Sequence, residues 1–161
     1  MEISIRDIGA KAEWIAKIAA FLHDASIPDP ASYDAPSQTF SLPIWRIGYE
    51  FRVKRQVLFI TVWRIPFVPA VLTVSPVVLL TPKEEPGARR DGDQLVDIET
   101  PTPSTLQLST REGVISLRCV GPATLTLRDS GPPEARLANN MIGTLIIPPG
   151  LITEIVNTRL A

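Results

Sequence analysis

The run from Val57 to Leu80 constrains this chain more than any other feature. It is apolar enough for a hydropathy window to mark it as a membrane span. Yet Pro66, Pro69 and Pro76 lie inside it, and Arg64 interrupts it. A proline inside a helix lacks the amide donor and clashes with the preceding turn. The remaining residues are mostly Val, Ile, Thr, Phe and Trp, which fit a pleated, half-buried surface. The run therefore predicts buried strands near 70–74 and 77–81 with Pro76 between them. Membrane contact by the 57–80 segment is the less favoured reading.

Composition places those strands in one globular domain, 1–161. The 45% hydrophobic and 20% charged content suits a packed core, not a disordered chain. A formal net charge of −1 argues against a dedicated nucleic-acid binder. One cysteine permits no internal disulfide and no cysteine-based zinc site. One histidine permits no His cluster for zinc or iron, and no cofactor is expected. The start, Met-Glu-Ile-Ser-Ile-Arg-Asp, places acids where a signal peptide carries positive charge. A cytoplasmic location is expected, which suits a lone cysteine.

Along the chain, residues 4–24 predict an amphipathic helix opened by a Ser4/Asp7 capping box and ended by Pro28 and Pro30. Ile5, Ile8, Ala12, Ile15, Ala19 and Leu22 share one face of it. Trp14, Ile18 and Phe21 form a second apolar stripe. The Pro-rich segment 25–44 offers a hairpin, 32–34 against 39–42, around Ala35-Pro36-Ser37-Gln38. From 45 to 65 the odd positions (Trp45, Ile47, Tyr49, Phe51, Val53) are apolar. The even ones (Arg46, Glu50, Arg52, Lys54, Gln56) are polar, as on a strand with one wet face. Strands are expected over 45–81 and a charged loop over 83–94. A β meander follows over 104–128, with turns at Arg111-Glu112-Gly113 and Gly121-Pro122. The segment 135–161 suits helix or strand equally. The predicted fold is mainly β, an antiparallel sheet or two-layer sandwich with one N-terminal helix. It becomes α+β if the tail is helical.

No nucleophile elbow and no Gly-rich phosphate loop occurs. Cys119 falls mid-strand, where a packing role outweighs a dyad with His23, and no catalytic residue is assigned. Asp91, Asp93 and Asp97, with Glu99, make a weak oxygen cluster for a hard cation. EF-hand spacing fails at Leu95, and a solvated acidic loop is preferred, so no metal is expected. Arg46, Arg52 and Lys54 are weak nucleic-acid candidates. Their parity opposes that of the nearby aromatics, so nucleic acid is not the expected partner. The Trp14, Ile18, Phe21 stripe and the 57–80 strands exceed what a small core needs. They point to a non-enzymatic structural or protein-interaction subunit with a protein partner or homo-oligomer. The alternative is a small-molecule or lipid-binding β module whose apolar interior is a cavity.

Overall fold

The computed structural model describes residues 1–57, 60–80 and 93–134, with 55–57 and 60–64 described as backbone. The elements run β1 (Glu2–Arg6), a 3-10 turn (Ile8–Ala10), α1 (Ala12–Leu22), β2 (Ala25–Ile27), β3 (Ser32–Asp34) and β4 (Thr39–Ile47). A 3-10 turn (Tyr49–Phe51) then leads to β5 (Val53–Val57), β6 (Ile60–Arg64) and β7 (Phe67–Leu79). β8 (Asp93–Thr102), β9 (Thr105–Thr110) and β10 (Val114–Asp129) complete the described chain. The protein is mostly β, antiparallel, with one N-terminal helix, as the residue pattern predicts. The segment 135–161 lies outside the described residues, as do 58–59 and 81–92.

The sheet closes on itself. In order, β10, β7, β4, β2, β8 and β9 each pair antiparallel with the next. β9 then returns to β10, so six strands form a ring. Closure pairs each of these six strands on both sides over part of its length, where a two-layer sandwich would leave free edges. β10 makes this possible because it is long. Residues Val114–Arg118 pair with β9, and Thr124–Arg128 pair with β1 on the same edge. Between Cys119 and Thr124, β10 takes five residue steps while β7 takes only two, from Val77 to Ser75. This bulge holds Gly121 at φ 93, a backbone conformation that favours glycine. Gly121-Pro122 is therefore a bulge within one strand and not the turn between two. The inward phase of β7 changes with it, from Val68, Ala70, Leu72 and Val74 to Val77. Residues 67–79 form one strand for the same reason, where two were predicted.

The N-terminal segment departs most from expectation. Ile3 and Ile5 alternate with polar residues, so the segment satisfies a period of two as well as 3.6. The open edge of β10 selects the strand, with Ile5 opposite Leu125. Asp7, at φ 56, turns the chain out of it. Gly9 then passes so close to Pro103 that an added Cβ would lie 2.0 Å from its carbonyl oxygen. The helix starts at Ala12, without the Ser4/Asp7 box, and ends where Asp24 takes φ 66. Asp24 donates its amide to the Leu95 carbonyl at 3.0 Å, and β2 begins at once. The helix thus ends before Pro28 can stop it.

The β3–β4 hairpin forms with the predicted pairing, Tyr33 opposite Phe40 and Asp34 opposite Thr39. Inside the ring, Leu42, Leu72, Leu106, Leu108, Leu117, Leu125 and Leu127 have no exposed surface. α1 adds Ile15, Ile18, Ala19 and Leu22 to the same continuous core. Each such leucine contributes about 1.5–3 kcal/mol through burial. No helix among the described residues is long and apolar enough to cross a membrane.

Candidate functional site

The strand phase of β4 decides what the basic candidates do. Phe40, Leu42 and Ile44 point into the core, and Arg46 is next in that series. Arg46 is therefore 0% exposed, while Trp45 and Ile47 lie half-buried on the outer face. The predicted parity was inverted over these residues. Alternation in 45–47 alone does not reveal which face is inside; pairing of β4 with β7 does.

The buried guanidinium is matched by carboxylates. Arg46 Nε donates to Asp129 Oδ1 at 2.9 Å and Nη2 donates to Oδ2 at 2.8 Å, a bidentate pair. Nη2 also donates to Glu50 Oε1 at 2.6 Å. The Met1 ammonium donates to Asp129 Oδ2 at 2.8 Å. The Phe21 ring lies 5.3 Å from the guanidinium carbon, within cation–π range. Arg46 Nη1 is buried without a hydrogen-bond partner. Burial opposes the charged Arg46, but the bonds to Asp129 and Glu50 outweigh it and raise its pKa. Burial pushes the Asp129 carboxyl up, and the bonds from Arg46 and the terminal amine prevail, leaving it below its ordinary value. Such a site fixes structure: it joins β4, the end of β10 and the turn Tyr49–Phe51.

That turn carries the second feature. β5 and β6 pair with each other, Val53 opposite Arg64 through Val57 opposite Ile60, and among the described residues with no other strand. This ribbon leaves the barrel between β4 and β7. Gly48 closes its base by donating its amide to the Pro66 carbonyl at 2.8 Å. A Cβ on Gly48 would meet the Val68 side chain at 2.7 Å, so the base is tightly packed. Phe51 is 43% and Val53 57% exposed beside it. Arg52 and Lys54 are exposed there too, separated from the buried Arg46. The three basic candidates thus form no common patch.

The helix stripe packs on the core. Ile18 is 5% exposed within the core, and Trp14 and Phe21 pack half-buried against it. Ile18 is closed to a partner for that reason. Lys17 Nζ lies 4.7 Å from the centre of the Trp14 ring. The exposed helix positions are Ala12, Glu13, Ala16 and Ala20, which carry no large apolar side chain.

The acidic cluster resolves into separate roles. Asp91 lies outside the described residues; Asp93, 2% exposed, begins β8, so Asp93, Asp97 and Glu99 lie in a strand and not in a solvated loop. Asp93 Oδ1 accepts the Gln94 amide at 2.8 Å, and Asp97 Oδ1 accepts the Ile98 amide at 2.7 Å. Among the described residues no three His, Cys, Asp or Glu side chains are grouped to hold a metal. His23 Nδ1 sits 3.1 Å from Asp24 on the surface. Cys119 is half-buried, and burial, with the charge of Asp7, pushes its thiol pKa up, away from the reactive thiolate. No hydrogen bond joins these two residues.

Sequence reasoning missed Glu50 and Asp129 as partners of Arg46. One signal was present: Phe40, Leu42 and Ile44 already place even positions inside. The chain matches no protein family model, no curated protein and no solved structure.

Proposed function

We propose that this chain is a non-enzymatic structural or interaction subunit: a barrel scaffold that presents the β5–β6 ribbon for docking. One observation carries this. The ribbon pairs only with itself among the described residues, while Phe51 and Val53 stand exposed at its base. A two-stranded ribbon gains little stability from its own pairing, so a surface is a natural place for it to gain more. The apolar helix stripe, by contrast, is used by the core.

The filled interior favours a scaffold over a ligand cavity. Rings of about eight strands are just wide enough for side chains to fill, and this one has six. Seven leucines with no exposed surface occupy its inward positions.

The test is photocrosslinking with a benzophenone amino acid placed at Val53 or at Ala16 on the exposed helix face. Adducts, whether protein or lipid, are expected from the first position and not the second. Equal adduct patterns, or none, would overturn the proposal.

A further inference from the structure

β1 pairs with β10 along one edge, and among the described residues no strand lies along the other. The register fixes which backbone groups face that open edge. Asp129 donates its amide to the Met1 carbonyl at 2.9 Å, and Glu2 is opposite Arg128. Hydrogen-bonded pairs alternate along an antiparallel ladder, so Ile3 and Ile5 turn their amides and carbonyls towards β10. Ser130 donates to the Pro69 carbonyl at 2.9 Å, which sets the even residues of β10 towards β7 and the odd ones towards β1, in agreement. Glu2, Ser4 and Arg6 therefore turn their amides and carbonyls outward, and all three residues are exposed. Such an edge is a template for another strand.

The side chains name the strand that fits. Glu2 and Arg6 stand equally far from Ser4 and carry opposite charges. Let a second β1 run antiparallel to the first about a two-fold axis at Ser4. Glu2 then lies opposite Arg6 of the second copy, and Ser4 opposite Ser4 of the second copy. Ile3 lies opposite Ile5 of the second copy, on the face that packs on the core. All the outward amides and carbonyls of Glu2, Ser4 and Arg6 fall on hydrogen-bonded pairs in this register. Centring on Glu2 or Arg6 instead sets like charges face to face, which destabilises a cross-strand pair. Centring on Ile3 or Ile5 leaves the charges unmatched.

We propose that β1 is a self-association edge, through which two copies of this chain join antiparallel with Ser4 at the centre. The contact is isologous, so it closes at two copies and does not propagate. Two strands of five residues bury little area, so the dimer is weak and forms at high concentration. It uses no part of the β5–β6 ribbon, so either reading survives the failure of the other.

The experiment is sedimentation equilibrium of the whole chain in low salt, from about 10 μM to 1 mM. A dimer is expected to appear as concentration rises. Arg6→Glu and Glu2→Arg, each alone, set like charges in both outer contacts and are expected to weaken it by about tenfold or more. Mixed in equal amounts, the two variants are expected to recover it as a heterodimer, because each Glu again meets an Arg. Both changes in one chain should restore it as well. In the parent dimer the amides of Glu2, Ser4 and Arg6 are expected to gain protection from hydrogen exchange, while those of Ile3 and Ile5 change little. Both substituted positions are exposed, and circular dichroism checks that each variant is folded. A monomer throughout, a dimer untouched by either charge reversal, no recovery on mixing, or no protection at Ser4 would each overturn the proposal.

Discussion

A guanidinium with no exposed surface must be matched by charge, and Arg46 is matched by Asp129 and Glu50. Removing one partner of such a pair leaves a buried, uncompensated charge. Asp129→Ala is expected to cost about 3–5 kcal/mol, read from urea unfolding. The same contact sets a pH dependence. The folded pKa of Asp129 lies below its ordinary value, so the unfolded chain takes up this proton more readily. The stability it contributes is complete above the unfolded value of about 3.9 and is lost as pH falls through the folded one. Melting temperature should therefore drop on acidification below about pH 4, and less steeply in Asp129→Asn than in the parent. An equal slope in the two would assign the acid lability to other carboxylates.

At the scale of elements, α1 and the ribbon differ in what holds them. α1 is bound by Ile15, Ile18, Ala19 and Leu22 in the core. Ile18→Ala is expected to destabilise the fold by about 2–5 kcal/mol in denaturant unfolding, without changing the mass of the folded species. The ribbon's strands pair only with each other among the described residues, above a base formed by Gly48, Pro66 and Glu50. Its amides should exchange with deuterium faster than those of β7 and β10. Glu50→Gln removes the charge that Arg46 holds at the base, so it should speed exchange in 53–64 with little effect on β10. Uniform acceleration across both regions would show that Glu50 serves the whole barrel instead.

For the whole molecule, ring closure ties remote segments together. β10 touches β1, β7 and β9, so N-terminal, central and late strands share one core. β2, with three residues, closes the ring between β4 and β8. Unfolding of the barrel is expected to be a single transition, with circular dichroism and tryptophan fluorescence coinciding. Separate transitions would show that the β4–β7 pair and the β8–β9 pair are independent units.

Period-two alternation and proline placement were enough to show that the chain is β-rich and to define the Tyr33–Phe40 hairpin, because both are local properties of residues. The same local signals left Ile3 and Ile5 ambiguous between helix and strand. They also left open which side of Trp45-Arg46-Ile47 is inside, and whether Gly121-Pro122 turns or bulges. Composition limits the disulfide and metal chemistry available, since that limit depends only on counts. The tertiary structure alone decided the rest. The open edge of β10 turns residues 2–6 into a strand, and the β4–β7 register buries Arg46 against Asp129, 83 residues away. It also sets Ile18 in the core with Trp14 and Phe21 half-buried against it, because packing is a property of the closed ring.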